Sequence, residues 1–391
     1  MPPSVFNIDK TCPESRARGG TLATAHGRIS TPVFLPVGSQ GTVKTLTPED
    51  VKGLGYDMLL ANTYHLYLRP GIPVIEKLGG LHNFIGWDGA ILTDSGGYQV
   101  FSLSALRKVS DEGVVFRSHI DGSQHHLTPE LAVAYQESLG SDVMMVLDEC
   151  ISHDSTHQEA AAAVERTNRW AERCLKAWKR KDDQSLYAIV QGGMYADLRR
   201  QSAEGLAALD FPGYAIGGLS LGEAKEVTLA MVEETIACLP PQKPRYLMGV
   251  GSPEDIVSGV ARGIDVFDSA LPTRVARNGA LYTRRGRLNI RNAAFREMDR
   301  PLDETCGCYT CRHFSAAYMS HLFRADELLA LRLATIHNLS FMSHLMADIR
   351  RAIAEGKFAA FAEDFLSGYK TTSEEVRLKQ KESWLKRNAS Q

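Results

Sequence analysis

No stretch of about 18 consecutive apolar residues occurs in this 391-residue chain, so a membrane-spanning helix is not expected. The opening MPPSVFNIDK lacks a basic flank running into an apolar segment, which argues against a secretory leader. Cysteine is scarce: seven residues, an odd number in a long chain with 44% hydrophobic residues, do not form the framework of a small stapled scaffold. A reducing, cytoplasmic setting is therefore expected. Neither G-x-x-x-x-G-K-[ST] nor a strand-linked G-x-G-x-x-G is found, which removes the usual signatures for nucleoside triphosphates and dinucleotides. H-E-x-x-H and an early His-x-His are absent too, so a catalytic-metal hydrolase is not indicated. With a formal net charge of −2, the chain as a whole is no polycation.

What cysteine there is concentrates in "CGCYTC", residues 306–311. Three reduced thiols at this spacing read as ligands of a zinc ion, and Cys306, Cys308 and Cys311 need a fourth partner. His313, His321, His337 and His344 all follow. His337 is favoured because it lies in the apolar, helix-like stretch LLALRLATIHNLSF, whereas His313 is too close to Cys311 to reach the same ion. Four protein ligands leave no position for water, so this metal should hold structure while chemistry happens elsewhere. Just before it, from Arg274 to Arg300, eight arginines stand against Glu297 and Asp299. Forked guanidinium groups in such a run suit phosphate oxygens.

Eight short apolar runs end in small or polar residues: PVFLPVG, DMLLANT, AILTDSGG, DVMMVLDE, LYAIVQGG, YAIGGLS, RYLMGVG and DVFDSAL. Helix-like segments separate several of them, among them HQEAAAAVERTNRWAERCLKAWKR and SPEDIVSGVARG, the latter opening on a serine cap. The alternation predicts a (β/α)8 TIM barrel, with a doubly wound sheet as the other topology. GGTLATAHGRISTP reads as a hairpin covering one end. The expected organisation is a single catalytic domain over residues 1–370, a zinc-binding insertion after the eighth strand at about 275–345 with a late helix from MSHLMADIRRAIAEGKF, and a charged tail at 371–391. Asp94, Asp148 and Asp268 each close a strand, where barrel enzymes place catalytic groups. Clustered carboxylates raise one another's pKa, which suits substitution at an anomeric carbon: one attacks, another shuttles the proton.

Taken together, ANTYHLYLRPG, LTDSGGYQVFSL, LDEC, VQGG, YAIGGLSLGE, YLMGVGSPEDI, GIDVFDSALPTR, RNG, LNIRNA and CGCYTC with a later HN resemble a bacterial queuine (guanine) tRNA-ribosyltransferase over residues 5–370 or so. The resemblance implies exchange of guanine at the wobble position of tRNAs with GUN anticodons for preQ1. Asp268 would be the nucleophile on ribose C1′ and Asp94 the general acid/base, with Ser95 and Asn62 orienting them. Asp148, Gln191 and Gly218 would bind the edge of the base, the Leu219 carbonyl would face its aminomethyl group, and Tyr98 and Met248 would sandwich the ring. Cys150 stands where eukaryotic relatives typically carry valine, and Leu221 replaces the valine common in bacterial relatives. Arg274 and Arg277 would contact the tRNA anticodon stem-loop near the flipped nucleotide, one structural zinc per subunit would sit on Cys306, Cys308, Cys311 and His337, and the chain would act as a homodimer. A non-catalytic tRNA-binding subunit and a retaining nucleosidase are the alternative functions.

Overall fold

The structure, a computed structural model, describes residues 5–103 and 107–371. The expected charged tail therefore lies, apart from Thr371, outside the described residues. Eight parallel strands make one sheet: β1 (Val33–Pro36), β2 (Met58–Asn62), β3 (Ala90–Asp94), β4 (Val143–Met145), β5 (Ser185–Val190), β6 (Gly213–Ile216), β7 (Arg245–Leu247) and β8 (Val266–Ser269). Their spatial order runs β1-β8-β7-β6-β5-β4-β3-β2. A parallel bridge between Val37 and Leu60, with the Gly38 N–H donating to the Leu60 carbonyl at 2.7 Å, then brings β1 back to β2. The sheet thus closes into the expected TIM barrel, and the doubly wound alternative is excluded. Every strand residue except Val33 is buried, which accounts for the continuous apolar runs: helices cover the outer face and side chains fill the inner one.

The helices start where their caps dictate. Thr156 forms a capping box with Glu159 ahead of helix His157–Ala177, and the Ser252 side chain accepts from the Asp255 N–H ahead of helix Pro253–Ala261. Two features depart from the sequence reading. Strands Arg107–Ser110, Gly113–Arg117 and Gln124–Leu127 form a small antiparallel sheet inserted after β3. The late helix does not begin at residue 342: one 27-residue helix, Leu328–Ala354, joins the stretch carrying His337 to the stretch packed on the barrel. No glycine or proline interrupts residues 328–354, and apolar residues recur along one side, so nothing stops the helix between the two halves.

At the N-terminal end of the barrel, strands Phe6–Thr11, Arg18–Thr24 and Gly27–Thr31 make an antiparallel sheet. Arg18 fastens it to β8: its Nε and Nη2 donate to the two Asp265 carboxylate oxygens at 2.9 and 2.5 Å, and Nη2 also reaches the Lys243 carbonyl at 2.7 Å. Asp265 is wholly buried and Arg18 nearly so. Replacing Arg18 with leucine should therefore lower unfolding stability by about 3–5 kcal/mol in denaturant titrations, because a buried carboxylate loses its counter-charge. Replacing Asp265 with leucine in the same chain should recover part of that loss.

Candidate active site

The ends of β2, β3 and β8 bring carboxylates and amides to one mouth. Asp94, the last residue of β3, accepts from the Asn62 side-chain amide at the end of β2, from the Thr63 N–H at 3.0 Å and from Gln99 Nε2 at 2.8 Å. Burial pushes its pKa up to about 6 despite those donors, and the nearby charge of Asp268 adds to the rise. Asp268 in β8 is gripped on one oxygen only. Oδ1 accepts from the Tyr246 hydroxyl at 2.6 Å and the Gly249 N–H at 2.7 Å, while among the described residues no hydrogen bond engages Oδ2. Burial raises the Asp268 pKa too, opposed by these same two donors.

Asp148, three residues beyond β4, faces a second set of groups. Gln191 Nε2 donates to its Oδ2 at 2.7 Å, and Ser95 Oγ lies 3.4 Å from Oδ1. Burial lifts this carboxyl to about 6 as well. Two glycines make the close approach possible. A Cβ on Gly97 would lie 2.7 Å from the Asp148 carbonyl oxygen, and one on Gly218, whose φ is 68°, would lie 2.3 Å from Gln191 Oε1. Behind the pocket wall the buried Arg199 binds the carbonyls of Gly193, Val190 and Gly217 at 3.0, 3.2 and 2.8 Å, fixing the ends of β5 and β6. Glu223 holds the following loop, its carboxylate accepting from the backbone N–H groups of Ser220, Leu221 and Gly222.

The structure gathers Asn62, Asp94, Ser95, Asp148, Gln191, Gly218 and Asp268 as direct or next neighbours. Leu219 and Cys150 are buried beside them, Met248 is half-buried, and Tyr98 stands at the rim, 39% exposed. Arg274 and Arg277 belong to helix Leu271–Arg277, which starts two residues after β8, and Arg274 lies within electrostatic reach of the Tyr98 hydroxyl. The sequence reading missed Gln99, Tyr246, Arg199 and Glu223. Tyr246 could have been found: it sits two residues before Met248, on the same face of an extended chain. The others act through backbone groups that no spacing reveals.

Beyond the barrel, Cys306, Cys308, Cys311 and His337 form one cluster. His337 Nδ1 lies 3.8, 3.6 and 3.3 Å from the three sulfurs, close to the ~3.5 Å edge of a tetrahedral site with ordinary zinc bond lengths. The other ring nitrogen, Nε2, is 2.8 Å from the Tyr282 carbonyl, which makes Nε2 the protonated atom and leaves Nδ1 as the ligand. Three thiols so close compete for protons: hydrogen bonds from Cys306 and Cys311 lower the Cys308 pKa to about 3, while the same contacts raise Cys311. Only a cation lets all three ionise. The donor set fits a metal ion held for structure.

Since the folded-state pKa of Asp94 lies above the ordinary 3.8, its ionisation opposes folding: the contribution favours the native state below about pH 4 and is lost as pH rises through 6. The stability of the native chain relative to Asp94→Asn should accordingly fall by roughly 2 kcal/mol between pH 4 and pH 7 in denaturant unfolding. A pH-independent difference would mean an ordinary carboxyl.

Comparison with known proteins agrees with this geometry. The family model described as Queuine tRNA-ribosyltransferase matches residues 12–371. A queuine tRNA-ribosyltransferase of Dehalococcoides mccartyi is 61% identical over 380 residues, 97% of each chain. One from Moorella thermoacetica is 56% identical over 369 residues, covering 94% of this chain and 99% of its own. A barrel whose mouth carries Asp94, Asp148 and Asp268, followed by a Cys3His cluster and matched along nearly its whole length, belongs to the queuine tRNA-ribosyltransferase family.

Proposed function

We propose that this chain replaces guanine at the wobble position of tRNAs with GUN anticodons by preQ1, through a covalent ester between Asp268 and the ribose. The observation that carries the reading is the asymmetry of Asp268: one carboxylate oxygen is held by Tyr246 and Gly249, and the other is left to bond. Oδ2 attacks C1′ as the bond to the guanine nitrogen breaks, and the departing base takes a proton from Asp94. A carboxyl with pKa near 6 is partly protonated at neutral pH and can return to that form. The incoming base gives a proton to Asp94 and attacks C1′, releasing Asp268; two inversions restore the configuration.

Asp148 and Gln191 serve as the base-reading pair, with the Gly218 N–H and the Leu219 carbonyl completing the edge and Tyr98 and Met248 taking the two ring faces. The buried Gln191 Oε1 has no protein partner, as expected of an amide meant for a polar ligand. Arg277 Nη1 is likewise buried and unpartnered, which supports Arg277 and the adjacent Arg274 as contacts for RNA phosphates. Zinc on Cys306, Cys308, Cys311 and His337 would fix the insertion over about 275–345. A homodimer is supported by the row of rings Tyr309, Phe314 and Tyr318 and by Leu328, which is 80% exposed.

Labelled guanine supplied with a tRNA bearing a U-G-U anticodon sequence tests the reaction. The native chain should incorporate label and Asp268→Ala should lose roughly 10⁴-fold or more of that rate, with preQ1 competing for incorporation. Release of guanine without insertion would identify a nucleosidase, and binding with neither reaction a non-catalytic subunit. For zinc, removal by a strong chelator should lower the unfolding midpoint and weaken tRNA binding, both restored by zinc. Unchanged folding and binding would overturn the structural role.

A further inference from the structure

A second convergence of metal-binding side chains lies at the opposite end of the barrel. Asp142, the residue before β4, sends its carboxylate to meet His26, at the turn between strands Arg18–Thr24 and Gly27–Thr31, and His82 of helix Leu81–Ile85. His26 Nδ1 is 2.9 Å from Oδ1 and His82 Nε2 is 3.2 Å from Oδ2. The two imidazoles stack with centroids 3.7 Å apart and planes 18° off parallel. One donor atom from each residue lies within 4.8 Å of the other two. The carboxylate is wholly buried, yet among the described residues it has no lysine or arginine partner; its other contacts are the His26 and Ile91 N–H groups at 3.1 and 2.9 Å.

Protonated histidines alone compensate this buried charge poorly, because two imidazolium rings stacked at such a distance repel each other. One divalent ion bound to both neutral rings and to the carboxylate would remove that conflict. The nitrogen-to-oxygen separations are close to the ~3.4 Å edge of a tetrahedral zinc site with nitrogen and oxygen ligands. Access exists as well: the His26 side chain is 38% exposed and borders a hollow of about 160 Å³ that Asp57 and Asp88 also line, leaving room for water to complete the coordination. Arg28 and Lys52 line the same hollow, the latter paired with Asp88. We propose that His26, His82 and Asp142 form a second metal site that takes a divalent ion of the zinc, cobalt or nickel class and pins the N-terminal sheet to the barrel floor. Two imidazoles and a carboxylate suit these ions, and the floor of a TIM barrel serves stability more than chemistry.

The test uses the full chain with zinc already bound at the thiolate cluster, dialysed against micromolar Co²⁺. The native protein should take up one further equivalent, with weak ligand-field absorption and no sulfur-to-cobalt charge-transfer band, and its unfolding midpoint should rise. His26→Ala, at a half-exposed turn, and His82→Asn should each abolish that uptake and that rise while base exchange continues. If the native chain binds no further equivalent, or if His26→Ala binds cobalt as the native chain does, the triad is only a hydrogen-bonded pin and the proposal fails.

Discussion

Everything at the barrel mouth depends on keeping three carboxylates out of water without giving any of them a direct cationic partner. Desolvation is the dominant cause of the raised pKa at Asp94, Asp148 and Asp268. A lysine or arginine bonded to any of them would hold it ionised and end its ability to exchange a proton near neutrality. The fold instead surrounds them with neutral donors: Asn62, Thr63 and Gln99 on Asp94, Gln191 and Ser95 on Asp148, Tyr246 and Gly249 on Asp268. Neutral donors orient a carboxylate while leaving its charge state adjustable. That choice costs stability, and the cost is met by strands buried on both faces and by ion pairs placed far from the mouth, such as Arg18 with Asp265.

The fully buried cation nearest the mouth illustrates the same economy. Arg199 lies behind β5 and β6 and spends its donors on backbone carbonyls, so it rigidifies the wall without bonding to Asp148. Glu223 does the converse for the neighbouring loop, with its carboxylate saturated by N–H groups and by Thr228. Charges that build the pocket are thereby neutralised locally, and those that carry chemistry are left adjustable.

Much of this was legible in the sequence because barrel strands announce themselves as short apolar runs and their C-terminal residues are positioned by topology. Asp94, Asp148 and Asp268 follow directly from that rule. The Cys3His cluster was legible from spacing, with His337 distinguished by its apolar surroundings. The inserted sheet over residues 107–127 was not, since strands such as RKVS and QHHL are half-exposed and carry little hydrophobic pattern. Nor were Arg199 and Glu223, whose partners are main-chain atoms made adjacent only by closure of the barrel. The continuity of helix Leu328–Ala354 was hidden for a different reason: its first half looks toward the cysteines and its second toward the barrel, so the change of partner resembled a boundary.

That continuity gives the metal cluster its mechanical meaning. His337 ligates at one position of the long helix, and the next residue, Asn338, donates to the carbonyls of Pro272 and Ala280 at 3.0 and 3.1 Å and accepts from the Tyr282 N–H at 3.0 Å. Pro272 lies four residues after Asp268, in the helix that carries Arg274 and Arg277. Further along, the Leu339 carbonyl accepts from the Tyr56 hydroxyl at 2.7 Å, two residues before β2. A metal that fixes His337 therefore fixes Asn338, and through it the segment leaving β8. The arginines are set relative to the carboxylates by a chain of buried hydrogen bonds that runs through one helical turn, which is why a cluster with no open coordination position can still matter to chemistry at the mouth.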